Sequence, residues 1–380
     1  MTNKKVLVVG GTGPTGPVIV EGLAERGFDV TILHRGFHEV EFKYPVEHIH
    51  GEPHFAEEFR AALGDNTYDV IVAMYGRLRI VAEACLGKTE RFIGVGAGVP
   101  DDQILPVYDV GARTEEGDNS IQQRVAQARE EVMDYHRAGK YNVTYFGYPS
   151  VYGPRQPGPL EWSVMRRILD GRKKFMLLDG GLHIRHFPYV ENCAQPILLA
   201  VDKPEESAGQ FYAATEEAMP TDRYRVQTIA DIMGVEIETY SFPHAMGVPG
   251  WWWGNGDFTF AKEGRAPRMN HTNVSVEKLK RDLGYKDVVD PYEAHKRSVE
   301  WLLENKPTPG GEDEQIMGDP FDYVAEDAYF AAFEKFAKEL DAIPFEGYST
   351  VHRYQHPKEP WQKGVTAQVD RSKTARGQRS

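Results

Sequence analysis

The stretch VLVVGGTGPTGPVIVEGLAERG, Val6 to Gly27, decides the reading of this chain. Val6–Val9 continues a short apolar, mostly β-branched run from Lys4, the pattern of a strand buried on both faces. A glycine-rich turn follows, and then Val18, Ile19, Leu23 and Ala24 recur at helical spacing until Gly27 supplies a stop. Strand, glycine turn and helix in that order form a phosphate cradle. The glycines allow a tight turn and close approach, and the free N–H groups of the helix start face an anion. Gly10, Thr12, Gly13, Pro14, Thr15 and Gly16 are therefore expected to bind the pyrophosphate of a dinucleotide. The spacing is G-x-x-G-x-x-G rather than G-x-G-x-x-G.

Working outward, FDVTILHRG (Phe28 to Gly36) reads as the second strand, Val30 to Leu33, ending at His34 and Arg35. NAD-preferring sites place an acidic side chain here to hold the ribose hydroxyls. This chain has none, and Arg35 can instead pair with a 2′-phosphate and stack on adenine. NADP is the expected cofactor, with His34 and Arg35 among its contacts.

Composition sets the remaining limits. The chain has 380 residues, enough for two domains or for one large α/β domain with a lobe. No apolar run approaches the length of a membrane span, and Val6–Val9 is far too short for the core of a secretion signal. A formal net charge of −13 argues against broad binding to nucleic acid or to anionic membrane. The two cysteines, Cys85 and Cys193, suggest neither a disulfide framework nor a metal site, so a reducing cytoplasm is expected.

Beyond the cradle the sequence resembles the extended short-chain dehydrogenase/reductase family, of the epimerase/dehydratase type. YDVIVAMYG (Tyr68 to Gly76) is similar to the family's fourth strand, and RFIGVGAG (Arg91 to Gly98) to its fifth. YNVTYFGYPSVYGPRQPGP (Tyr141 to Pro159) resembles the sixth strand with its Tyr-Gly-Pro turn. GGLHIRHFPYVENCAQPILLAV (Gly180 to Val201), GQFYAAT (Gly209 to Thr215) and VSVEKLKRDLGYKD (Val274 to Asp287) resemble later landmarks, so the likeness runs from about Lys4 to Asn305. The resemblance implies a Rossmann-type, doubly wound parallel sheet with a smaller C-terminal substrate lobe. Strands alternating with helical patterns support the same α/β class independently. Residues 1–160, with 186–235, are expected to form the dinucleotide-binding domain, residues 161–185 and 236–305 the lobe, and 306–380 a C-terminal extension. By the same resemblance Ala73, Met74, Tyr75 and Gly96 line the nicotinamide side.

The chain departs from the family at its chemistry. The family uses a Ser or Thr after the fifth strand and a Tyr-x-x-x-Lys pair on the next helix. Here the hydroxyl position falls on Gly96–Ala97, and the Tyr and Lys positions of SIQQRVAQAREEVMDYH fall near Ile121 and Val125. None of these moves a proton. Tyr75, Tyr108 and Tyr148 stand as replacement donors. His183 and His186, the candidate proton movers of a redox-silent reaction, flank Arg185, which matches the arginine that binds the nucleotide-sugar phosphate in family members; His183 and Arg185 are the expected substrate contacts. Two histidines three apart on an extended segment face opposite sides, so no metal site is expected there. Trp251, Trp252 and Trp253, in HAMGVPGWWWGNGDFTF, fall in the lobe and favour an apolar or aromatic substrate or an oligomer contact.

The expected function is therefore an NADP-dependent reductase of a bulky apolar or conjugated small molecule with a non-standard proton donor. The alternatives are a redox-silent isomerase, lyase or nucleotide-sugar enzyme on the same fold, and a non-catalytic NADP-binding regulator. In the extension, KPTPGGEDEQ (Lys306 to Gln315) reads as a connector and Asp319 to Ile343 as a phenylalanine-rich helix that docks on its own domain or joins copies into a homo-oligomer. The last residues read as a tail or an arm.

Overall fold

The computed structural model describes residues 4–74, 76–105, 120–243, 273–344, 349–351, 359–361 and 368–370. Tyr75, Tyr108 and Trp251 to Trp253 lie outside the described residues. The chain divides into two compact units, Met1–Phe321 and Asp322–Ser380.

The first unit is built on a parallel sheet of seven strands. They are β1 (Lys5–Val9), β2 (Asp29–His34), β3 (Glu47–His50), β4 (Val70–Ala73), β5 (Arg91–Ala97), β6 (Asn142–Tyr148) and β8 (Gln210–Ala213), in the order β3-β2-β1-β4-β5-β6-β8. The order reverses between β1 and β4, which opens a crevice at the carboxyl ends of the strands. The expected Rossmann-type sheet is present, and the first, second, fifth and sixth strands lie within about two residues of the positions read from the sequence. The third strand, EHIH, carries no apolar alternation and escaped that reading; it is an edge strand whose four residues are largely exposed.

Helices cover both faces. Val6 and Val8 face a cluster with Ile19, Leu23 and Ile197, from α1 (Gly16–Glu25) and α6 (Val190–Asp202), to which α8 (Glu277–Leu283) adds Leu279 and Leu283. Leu7 and Val9 face the opposite cluster, with Phe59 of α2 (Ala56–Leu63), Val81 of α3 (Leu78–Ala84) and Val132 of α4 (Ser120–Arg137). A strand with both faces covered has no polar side to show, which is why KVLVV reads as continuous apolar sequence.

Outside the main sheet, β7 (Lys174–Leu178) pairs in parallel with β9 (Glu238–Phe242). The helices α5 (Glu161–Leu169), α7 (Asp222–Ile232) and α9 (Pro291–Glu304) pack against one another, and α7 meets the turn Asp179–Gly181 that leaves β7. Asn192 ties this region to α6. Its Nδ2 donates to Glu216 and to the Val289 carbonyl, and its Oδ1 accepts from the N–H groups of Val288 and Val289 at 2.9 and 3.0 Å.

The extension differs from its expected form. Glu312–Met317 of the connector is a helix, α10. Asp319 does not start the long helix: its carboxylate is taken by the buried Arg167, at 2.6 and 3.0 Å, and by the Phe321 N–H. Asp322 caps instead, accepting from the Ala325 N–H, and α11 spans Tyr323–Asp341. Within the second unit Phe330 is buried while Val324, Phe336 and Leu340 are exposed. The tail contains an antiparallel pair, β10 (Ser349–Val351) with β11 (Gln368–Asp370), rather than only irregular chain.

Asn192→Ala removes the partner of the Val288 and Val289 N–H groups and of the Val289 carbonyl, at roughly 1–3 kcal/mol for each buried group, while Glu216 keeps the Tyr189 N–H. The variant is expected to unfold several degrees below the parent in a thermal scan, with α-helical circular dichroism retained at low temperature.

Candidate functional site

The cradle forms where β1 hands over to α1. Gly10 and Gly11 take φ of 105° and 91°, conformations that side chains other than glycine rarely adopt. Gly16 lies so close beneath them that a Cβ would stand 2.4 Å from the Gly11 carbonyl carbon. The backbone is locked by the Gly10 N–H donating to the Leu33 carbonyl at 2.8 Å and the Gly16 N–H to the Gly13 carbonyl at 3.1 Å. Gly13 is exposed, and a Cβ there would meet nothing within 4 Å, so the turn presents bare backbone in front of the α1 N-terminus. Thr12 and Pro14 are partly exposed on the same turn, and Thr15 is buried. A dinucleotide pyrophosphate fits this surface: close approach is free of side chains, and the positive end of the α1 dipole stands behind the turn, although the Gly16 N–H is taken by Gly13 and Pro17 has none.

The next part of the crevice lies beyond β2. Arg35, Phe37, His50, Gly51, Glu52, Glu58, Ala61 and Ala62 line an open cleft of about 540 Å³. The Arg35 guanidinium lies over the Phe37 ring, 4.8 Å from its centroid, and 3.9 Å from the Glu52 carboxylate. Its cation therefore faces the cleft beside Glu52. His34, expected beside it, is 3% exposed, and its ring packs against His48 and His50. Ala73 is fully buried at the end of β4, where the Met74 N–H donates to the Val9 carbonyl.

At the end of β5 the structure leaves no room for a side chain at the position where the resemblance expects a hydroxyl. Gly94, Gly96 and Ala97 pair in register with Tyr145, Gly147 and Tyr148 of β6. A Cβ on Gly96 would stand 2.0 Å from the Tyr145 hydroxyl, and one on Gly94 would stand 3.3 Å from the same ring. The phenol fills the volume that a side chain at 96 would need. Tyr145 is 2% exposed, packs edge-on to Phe211, and burial pushes its hydroxyl up to about 12, with the Arg129 charge working the other way. Arg129 lies over the Phe211 ring at 4.6 Å. From α4, Val125 also approaches this place, 3.6 Å from where a Cβ on Gly98 would be. Tyr145 and Arg129 were not singled out from sequence; the glycine alternation of GVGAG was the available signal.

Tyr148 does not stand free as a donor. Its hydroxyl donates to the Cys193 carbonyl at 3.1 Å, and burial raises its pKa well above the ordinary tyrosine value. It therefore reads as wall rather than acid.

The segment after β6 runs beside residues 184–190. The Tyr152 N–H donates to the Pro188 carbonyl, and the Val190 N–H donates to the Tyr152 carbonyl. Arg185 is held by the buried Asp222, with Nε and Nη2 both 3.2 Å from one carboxylate oxygen, and stays partly exposed. His183 lies 3.6 Å from Asp179. His186 is buried and neutral, its pKa lowered to about 4 by burial. Behind this segment lies a buried polar group absent from the sequence reading. Arg225 donates to the Phe187 carbonyl and stacks on Tyr152, and burial raises both Glu161 and Glu216 to about 7 while the Arg225 charge opposes the rise.

Comparison with known proteins agrees with this geometry. Residues 124–214 match the model of the NAD dependent epimerase/dehydratase family. An epimerase of Methanothermobacter thermautotrophicus superposes with a TM-score of 0.60 at 16% identity, covering 80% of this chain and 93% of the other. UDP-glucose 4-epimerase of Thermotoga maritima, solved with UDP-glucose, gives 0.60 at 17% identity, covering 80% and 100%. The Bordetella bronchiseptica enzyme WbmF, solved with NAD+ and UDP, gives 0.58 at 19% identity, covering 83% and 96%. A search of the curated proteins found no match. The resemblance to the extended short-chain dehydrogenase/reductase family is borne out, and the fold is theirs.

Two outcomes follow. Gly96→Ser, which adds a hydroxyl where the resemblance expects one, collides with Tyr145 and is expected to cost about 1–3 kcal/mol; in Tyr145→Ala the same substitution costs far less. Additive losses in a double-mutant cycle would show that the two do not share the space. For Glu161, the folded pKa lies above the usual 4.5, so the folded state holds the proton more tightly. Stability is then full below pH 4.5, falls as pH rises towards 7 and is level above, a loss of about 3 kcal/mol. Glu161→Gln is expected to flatten that part of the stability–pH curve.

Proposed function

We propose that this protein is a nicotinamide-dinucleotide-dependent enzyme of the epimerase/dehydratase kind acting on a nucleotide-linked sugar. The observation that carries the reading is the exposed backbone of Gly13, set between the close-packed Gly11–Gly16 crossing and the start of α1. The solved relatives named above support the substrate class, since their structures hold NAD+ with UDP, or UDP-glucose. They favour the nucleotide-sugar alternative over the reductase of an apolar molecule that the tryptophans suggested.

The nicotinamide, when bound, supplies reversible removal of hydride from a sugar carbon. This chain's residues do the rest. The cradle orients the pyrophosphate, and Arg35, with no acidic residue at its own position, favours the 2′-phosphate of NADP. Arg185, aimed by Asp222 and partly exposed, pairs with the substrate diphosphate. Val125, Gly96 and Ala97 cannot carry the proton, and Tyr148 is committed to a carbonyl. Tyr75 and Tyr108 remain the sequence's candidates for that step.

Calorimetric titration with NADPH, NADP+, NADH and NAD+ tests the cofactor. Arg35→Ala is expected to weaken NADPH roughly 10- to 100-fold, as loss of a charged hydrogen-bond partner does, with NADH little changed. Arg185→Ala is expected to weaken UDP or dTDP by a similar factor. An epimerase turns over a nucleotide-sugar with no net change in nicotinamide absorbance, whereas a reductase consumes NADPH. Failure of all four cofactors to bind would overturn the proposal.

A further inference from the structure

Strand register assembles a group of metal-ligand side chains that sequence spacing does not show. In the parallel β2–β3 pair, His34 is the partner of His50 and Ile32 the partner of His48. His48 and His50 are two apart on one strand, so both project from the face that carries His34. Glu39, on the loop leaving β2, returns over them. The four side chains offer one ligand atom each, all within 4.8 Å of one another.

The spacing is close to what a tetrahedral ion requires. Metal–nitrogen and metal–oxygen bonds of about 2.0–2.1 Å place neighbouring ligand atoms about 3.3 Å apart. Here His34 Nε2 and His48 Nδ1 are 3.1 Å apart, His48 Nδ1 and a Glu39 oxygen 3.5 Å, and His50 Nε2 and the other Glu39 oxygen 3.5 Å. The His34 ring meets His48 and His50 edge to face, with centroids 5.1 and 4.9 Å away, so the rings diverge around a common point rather than stacking. His34 is the buried anchor, while Glu39, His48 and His50 keep side-chain exposures of 57%, 29% and 63%. An ion can enter from solvent, and the exposed ligands can adjust by side-chain rotation alone.

We infer that His34, Glu39, His48 and His50 form a binding site for one divalent d-block ion, zinc first among them. Three imidazoles and one carboxylate suit Zn2+, with Co2+, Ni2+ and Cu2+ as chemical competitors, and are a poor set for Mg2+ or Ca2+. Four protein ligands close the coordination sphere, so the ion serves as a staple. It joins the edge strand β3 to β2 and fixes the loop from Arg35 to Val46, which borders the cleft next to the cradle. In the metal-free chain the Gly36 N–H donates to His34 Nδ1 at 3.3 Å, which leaves the proton on Nε2, shared towards His48. Ligation through Nε2 moves that proton to Nδ1 and releases the Gly36 contact.

The test uses the full chain, stripped with a chelator and titrated with Zn2+ alone by calorimetry, then with Co2+ followed by visible absorption. The expected result is one ion per chain, the intense bands of four-coordinate cobalt, and a thermal midpoint raised by zinc. Glu39→Gln and His50→Ala, both exposed side chains, are each expected to weaken binding at least tenfold with the circular dichroism spectrum unchanged. His136→Gln, at the end of α4 and outside the group, leaves binding as it was. Absence of saturable binding, the weak spectrum of six-coordinate cobalt, or equal affinity in all three variants would overturn the site. None of these readouts depends on the nicotinamide cofactor or on turnover.

Discussion

The approach of Gly16 to Gly11 is the constraint on which the site depends. A single methyl group at 16 would sit 2.4 Å from backbone that cannot move without breaking the β1–β2 and β1–β4 ladders. Because there is none, α1 begins directly above the end of β1, and its N-terminal turn opens into the crevice at the strand reversal. Everything argued for the cofactor follows from that crossing. The cleft at Arg35 is the next stop along the same strand ends, and the Arg185 segment lies beside the loop that leaves β6.

The second organising contact lies on the opposite side of the crevice. At the β5–β6 pair, small residues occupy β5 at 94 and 96, and an aromatic ring from Tyr145 of β6 covers them, so a side chain at 96 has no room.

Buried charge marks the region behind Arg185. Arg225 lies among Tyr152, Phe187, Glu161 and Glu216, and the cost of removing two carboxyls from water is met partly by that cation and partly by holding protons to near-neutral pH. Asn192 donates to Glu216 and accepts from the chain entering α9. This polar interior joins α5, α6, α7 and α9 at points where an apolar core would leave main-chain groups unpaired.

The sequence alone determined the sheet class and the glycine turn, because each rests on local pattern: a doubly covered strand and glycines at fixed spacing. Arg35 was legible for the same reason, being a fixed number of residues beyond a recognisable strand. The edge strand Glu47–His50 was not, since a mostly exposed strand carries no hydrophobic period. Asp319 was read as a helix start because its identity fits a cap, yet the buried Arg167 claims it from far along the chain. Only the tertiary structure decided that the Tyr145 ring stands over Gly96, that Tyr148 spends its proton on Cys193, and that three histidines and Glu39 meet. Those facts depend on register between strands and on side chains distant in sequence, which no local period encodes.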